Sequence, residues 1–480
     1  MDRDEEKSLP LIEKKLREDE GSGSNKSSGL YDFFFRPSGS RAEKKQLRKT
    51  AYLDGLRGFA ALLVYSLHHQ IWGHSGIGGE KILENSFGWE QQYYFISLPG
   101  IRMFFSGGHT SVAVFYLISG YVLTLAPLSL LQAGENGRMA ENLGSALFRR
   151  WLRLFLPVLA TTFIWMTSWH ILGIKSSNPI APPVEKTWGD ELWMWYCDAK
   201  NYSFFFHDKY FNAYNDHAWS LPLEMRGSIL VWTVLLGLSR CRTNMRLLLQ
   251  AALIFYHIYI VDGWYCGCFL TGMLICDLDL LAEKDKLPEF FQRFRGQTWL
   301  WYAAFAGGLY LGGVPSITND LGHLRDSPGW HLLSYLKPQS FWDFRWFYRY
   351  WAATLLMISI PRIPWLRAFF ETSFCQFLGR VSFSLYLVHG PVLWSIGDRV
   401  YAAVGRIHEG QIANIPAWMN AMPLPDWGPF GFELNYLIPH LILLPLTLWV
   451  AEITTKLIDE PSLKFARLLF NTTLATKPRQ

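Results

Sequence analysis

Arg57 and His68 are the first residues in the chain whose types and spacing could serve a reaction. On a helix they lie three turns apart with only about 20° of angular drift, so both face one way at a separation of roughly 16 Å. A guanidinium holds phosphate through parallel N–H donors, and an imidazole with an ordinary pKa of about 6.5 takes and returns a proton near neutrality. His69 points elsewhere. The plain alternative is an arginine snorkelling to a membrane surface and a histidine bonded to a neighbouring helix. Ionisable groups at membrane depth usually face a cavity, which favours chemistry.

Three further groups extend the pattern. Arg150 and Arg153 share a helical face just before Pro157, and a repeated planar fork suits a phosphate-bearing ligand, although a topological charge bias would also place arginines there. The run His217-Ala218-Trp219-Ser220-Leu221-Pro222-Leu223-Glu224 sets Glu224 one turn from Ser220 on the same face. A carboxylate at that depth requires a partner. His389 ends the run Ser382-Phe383-Ser384-Leu385-Tyr386-Leu387-Val388-His389 at a level similar to that of His68. The polar groups therefore sort into two expected layers, arginines at one edge and imidazoles with a carboxylate nearer the other. A pore has no need of that division.

The elements that must position these groups are apolar. Of 480 residues, 50% are hydrophobic, 16% aromatic and only 18% charged, which excludes a disordered chain and points to a membrane body. The net charge of +5 comes from 45 basic and 40 acidic residues. The basic ones collect at the ends of apolar stretches, so nucleic acid is not an expected partner. Six cysteines without paired spacing, apart from Cys266-Gly267-Cys268 inside an apolar segment, suggest neither a disulfide framework nor a metal site. No apolar leader precedes Leu53.

The fold class expected is all-α, a polytopic transmembrane helical bundle of about ten spans. They fall near 54–73, 109–131, 150–173, 221–239, 245–261, 263–281, 298–314, 346–361, 376–397 and 435–458. Residues 1–50 read as a disordered cytosolic tail, 51–465 as the transmembrane domain and 466–480 as a short cytosolic tail. Basic clusters recur in every second loop, from Arg41, Lys44 and Lys45 through Arg149, Arg240, Lys284 and Arg362 to Lys464, so an even number of spans with both termini cytosolic is expected. The sequon at Asn201 then falls on the luminal side, and those at Asn25 and Asn471 in the cytosol. The membrane is endomembrane or plasma membrane.

These pieces together resemble the acyltransferase-3 family of multi-spanning membrane O-acyltransferases, over about Tyr52 to Ala466. The matching pieces are Leu53-Asp54-Gly55-Leu56-Arg57-Gly58 with His68, Gly107-Gly108-His109 leading to Phe115-Tyr116-Leu117-Ile118-Ser119-Gly120-Tyr121, and Arg150-Trp151-Leu152-Arg153 with Pro157. Trp219-Ser220-Leu221 with Glu224, Gly379 to His389, and Asp459-Glu460-Pro461 complete the order. The stretch Pro99-Gly100-Ile101-Arg102 and the aromatic load look most like the fungal branch. Many bacterial members carry two consecutive acids after the Trp-Ser-Leu piece. Here Met225 follows Glu224, and no hydrolase-like domain is expected after the last span.

The resemblance implies acyl-CoA, with acetyl-CoA the expected form, as donor co-substrate, no metal, and a hydroxyl-bearing acceptor of carbohydrate, lipid or secondary-metabolite type. Arg57, Arg150 and Arg153 are then expected to hold the donor's phosphates, with the pantetheine arm lying along the first span and the thioester beside His68. His68 is the expected general base, and Glu224 is expected to orient the base or the acceptor. Trp219, Ser220 and His389 are expected to contact substrate, with a covalent acyl-serine or acyl-histidine intermediate open. A secondary transporter of a small polar or amphipathic solute is the alternative. Such proteins usually repeat their interrupted spans, and no second copy of the Arg57 to His68 pattern occurs. Membrane lipid is a partner on either reading, and oligomeric state is left open.

Overall fold

The computed structural model describes residues 47–474, apart from 78, 85–87, 89, 90, 175, 177, 179, 208–211 and 295. The N-terminal tail with Asn25, Arg41, Lys44 and Lys45 lies outside these residues. Among the described residues there is no strand beyond a single bridge between Asn212 and Asn215.

The principal helices are α1 (Ala51–Gly73), α2 (Gly108–Gln132), α3 (Asn136–Ile171), α4 (Trp188–Ser203), α5 (Ser220–Leu238) and α6 (Thr243–Phe255). They continue with α7 (Trp264–Glu283), α8 (Thr298–Gly312), α9 (Phe344–Ser359), α10 (Ser373–Val392), α11 (His440–Thr454) and α12 (Glu460–Thr473). A helix occupies each segment read as a span. Among the described residues, five segments are long and apolar enough to cross a membrane: Gly108–Gln132, Asn136–Ile171, Asp216–Leu238, Trp264–Glu283 and Leu434–Thr473. The protein is a helical integral-membrane bundle. Helix α4, in a loop of the sequence reading, is capped by the Thr187 side chain accepting from Asp190 N–H, and it carries exposed Trp193 and Tyr196.

Helix α3 differs most from expectation. It spans 36 residues from Asn136, well before the apolar run at 150, because Arg138, Glu141 and Arg149 interrupt an apolar window without interrupting a helix. Arg150 is therefore four turns inside α3, about 21 Å from its start at 1.5 Å per residue, and not at its edge.

The basic ends of the helices meet at one end of the bundle. Lys49 pairs with Glu283 at 3.3 Å, joining the start of α1 to the end of α7. Lys284 donates to Gln132 at 3.1 Å beside the end of α2. Buried Arg246 at the start of α6 donates to Asp277 of α7 at 2.7 and 2.8 Å. The aromatic loops gather at the opposite end, where Trp342 N–H donates to Asp262 at 3.0 Å.

Two seams of glycine hold the centre. A Cβ on Gly58 of α1 would stand 2.2 Å from the Gly379 nitrogen of α10, and one on Gly379 would stand 2.3 Å from the Asp54 carbonyl oxygen. A Cβ on Gly120 of α2 or Gly272 of α7 would come within 2.1 Å of a carbonyl oxygen on the other helix. Small residues let helix backbones touch where lipid supplies no hydrophobic drive. Turns of π-helix follow α10 at Leu393–Gly397 and α11 at Thr455–Asp459, widening the helices beside the site described next.

Candidate active site

The α1–α10 seam carries both residues of the spaced pair on one face. Arg57 donates from Nε to Ser382 Oγ at 3.0 Å and from Nη2 to the Gly379 carbonyl at 2.9 Å. Three turns further along α1, His68 Nδ1 meets His389 Nε2 at 2.9 Å. The shared face read from spacing is present, and α10 is what it faces.

An open cavity of about 160 Å³ begins between α1, α3, α10 and the π-turn at Asp459. Arg57, Arg150, Arg153 and Arg380 line it, with Asp459 among them. Arg153 is exposed there and has no hydrogen-bonding partner among the described residues. Arg380 pairs with Glu452 at 2.5 Å. Deeper in, the walls are Phe115, Ser119, Glu224, Ser220 and Tyr386.

Arg150 and Glu224 do not lie in separate layers. They form a buried ion pair, with Arg150 Nε also donating to Ser228 Oγ at 2.9 Å and Ser119 Oγ donating to Glu224 at 2.5 Å. The two-layer expectation is corrected by the early start of α3, which carries Arg150 down to the level of the carboxylate. Glu224 makes no hydrogen bond to His68 among the described residues; its partners are Arg150 and Ser119.

Tyr386 closes the inner end of the cavity. Its hydroxyl lies 2.8 Å from Ser220 Oγ and also donates to the carbonyl of His217. Behind this wall three imidazoles are stacked. His217 lies over His68 with centroids 3.7 Å apart and over His389 at 4.6 Å, each pair within 9° of parallel. His68 is partly exposed yet does not line the cavity, so Tyr386, Ser220 and His217 stand between it and the arginines.

The hydrogen bonds assign the tautomers. His389 Nδ1 lies 3.1 Å from the carbonyl of Leu385, which only accepts, so Nδ1 carries the hydrogen and Nε2 of the neutral ring is a lone pair. His68 Nδ1 must then be the donor between the two rings, which leaves His68 Nε2 as a lone pair. His389, expected to touch substrate, is buried with both ring nitrogens engaged, and its contact is with His68.

One ring nitrogen from each of His68, His217 and His389 lies within 4.8 Å of the other two, a composition that could hold a metal ion. Near-parallel rings direct their lone pairs side by side and not to one point, and two of the nitrogens are bonded to each other.

Ser220 lines the cavity, whereas Trp219 turns to the aromatic end and meets Trp346 edge-on at 5.8 Å. Sequence reasoning missed three residues. His217 sits in a short turn before α5, and nothing in the chain order announces its partners in α1 and α10. Gly390 is the local signal, because a Cβ there would lie 2.8 Å from His217 Nδ1. Arg380 and Asp459 fell inside noticed motifs, but their direction depends on the packing.

Comparison with known proteins matches the sequence to a family. A family model described as an acyltransferase domain fits residues 50–451, within which nearly all of the site lies. The chain belongs to the acyltransferase-3 family. It is 32% identical over 405 residues to "O-acetyltransferase PaAT-1" of Phomopsis amygdali, covering 77% of each chain. It is also similar to "Acyltransferase clz18" of Cochliobolus lunatus, 22% identical with 74% of this chain and 85% of the relative covered. "Acyltransferase R4" of a Phoma species is 23% identical, with 74% and 84% covered. No solved structure matches this acyltransferase.

Proposed function

We propose that this acyltransferase moves an acyl group, acetyl being the expected one, from acyl-CoA to a hydroxyl of a carbohydrate, lipid or secondary-metabolite acceptor. The observation that supports the reading is a histidine with a bare ring nitrogen, held by a second histidine behind the Tyr386 wall that ends an arginine-lined cavity. The name of the Phomopsis relative supports acetyl as the group and oxygen as the acceptor atom. The basic end of the bundle is assigned to the cytosol by the positive-inside rule, so the donor enters from there and both termini are cytosolic.

The donor's phosphates lie against Arg153 and Arg57, and the pantetheine arm reaches inward between α1 and α10 toward Tyr386. His68 Nε2 takes the acceptor's hydroxyl proton as the oxygen attacks the thioester carbonyl. The tetrahedral intermediate then collapses with cleavage of the carbon–sulfur bond, and the same proton passes from Nε2 to the leaving thiolate. His389 fixes the tautomer of His68 by accepting from Nδ1, and it touches neither substrate.

Labelled acetyl-CoA given to the purified protein with a lysate of hydroxylated small molecules and glycans tests the activity. Transfer of label to an oxygen ester supports it, and solute flux without consumption of the thioester overturns it. In the same assay Arg153→Gln is expected to raise the KM for acyl-CoA about tenfold with little change in kcat, the loss of one charge-assisted contact. An unchanged KM removes Arg153 from the donor site. His389→Gln keeps an acceptor near the Nε2 position and is expected to retain activity within a few fold. His389→Met, similar in volume but unable to accept, is expected to lose about a hundredfold in kcat at unchanged donor KM. Equal activities of the two variants would show that tautomer control is not the role of His389.

A further inference from the structure

Outside the walls of the donor cavity lies a buried cation with no counter-ion among the described residues. Arg349, in the second turn of α9, is 4% exposed and makes no hydrogen bond or ion pair among the described residues. Its guanidinium rests on the face of Trp346, 4.9 Å from the ring centroid. Its neighbour Arg345 shows what a satisfied guanidinium looks like here: it takes both oxygens of Asp343 at 2.7 Å and the Ser316 carbonyl at 2.9 Å. Asp343 is a carboxylate in electrostatic reach of Arg349, and both its oxygens are already engaged by Arg345.

The surroundings connect this cation to the reaction centre. Trp346 stacks on Trp264 at 3.7 Å and meets Trp219 edge-on, and Trp219 is two residues from His217. His109, in the first turn of α2, stands in electrostatic reach of Arg349 and Arg345 and of His68 and His217. Its Nδ1 is buried without a partner. Trp219, Trp264, Trp346, His109, His68 and His217 each keep partial exposure.

We propose that Arg349 and His109 form the acceptor subsite, which binds a carboxylate on the hydroxyl-bearing acceptor while the tryptophans cover its apolar body. The proposal rests on His68 being the base and names the chemical class of what is acylated. A buried guanidinium left unpaired is costly unless a ligand neutralises it, and a planar fork matches a carboxylate through two parallel hydrogen bonds. Tryptophan faces suit a flat or aliphatic skeleton.

The test uses purified full-length wild type and Arg349→Gln, labelled acetyl-CoA, and one hydroxylated metabolite lysate divided in two, one half with its carboxyl groups methyl-esterified. Label entering products only from the untreated half, with kcat/KM at least tenfold lower in Arg349→Gln, supports the subsite. Equal labelling of the esterified half overturns it. So does an equal loss by Arg349→Gln on acids and esters, which would place the guanidinium on the reaction's oxyanion. Thermal unfolding of the two proteins without substrate gives an answer independent of turnover. An unpaired cation predicts a midpoint for Arg349→Gln equal to or above wild type, and a lower midpoint would make Arg349 a structural residue and end the proposal. Should wild type label nothing in either half, the transferase reading fails by itself, and the unfolding comparison still decides whether Arg349 is an unfilled site.

Discussion

Replacing His68 with alanine is expected to lower turnover by about two to four orders of magnitude, the usual range for loss of a general base. The donor KM should change little, because the arginine cavity ends at Tyr386 and His68 is not among its walls. Folding should survive, since His68 is partly exposed and its one hydrogen bond is to a ring that keeps its second bond to the Leu385 carbonyl. Initial rates at saturating acetyl-CoA, on protein checked for a monodisperse elution profile, provide the measurement. Full activity in the alanine variant would remove the base from α1 and leave Ser220, beside Tyr386, as the group to examine for an acyl-enzyme.

Glu224→Ala is expected to destabilise the protein by about 3–5 kcal/mol, the range seen when one member of a buried ion pair is removed. Arg150 would remain buried with Ser228 as its only side-chain partner. The double variant Arg150→Met with Glu224→Met should be far closer to wild type in unfolding temperature, because it removes both charges and the cost of burying either. Effects that simply add would mean that the two side chains act separately. If the double variant folds but its donor KM rises, the pair also shapes the cavity for the pantetheine arm. An unchanged KM confines the pair to support.

The bundle was legible because apolar length and charge placement act over whole segments, so local errors average out. A helix occupies every segment read as a span, and the facing of Arg57 and His68 toward one neighbour followed from helix geometry alone. Depth was less legible. A hydropathy window registers where apolar residues begin and not where a helix begins, so Arg150 was placed at an edge, and its partner Glu224 was assigned to the imidazole layer. The three-histidine stack was out of reach for a different reason. His68, His217 and His389 come from α1, the turn before α5 and α10, and only tertiary packing brings their rings within 5.0 Å. His389 drew notice as a polar group at the right depth, but its role depends on a backbone carbonyl one turn earlier that side-chain types do not reveal.

The seam between α1 and α10 determines how far apart the two imidazoles sit. Where Gly58 and Gly379 cross, nothing larger than hydrogen separates one main chain from the other, and His68 and His389 lie about three turns further along the same pair of helices. A single methyl group at either crossing would lever the helices apart and stretch a 2.9 Å contact beyond proton-sharing range while leaving every reactive side chain chemically intact. The calibration of this centre thus belongs to two residues that carry no functional group at all.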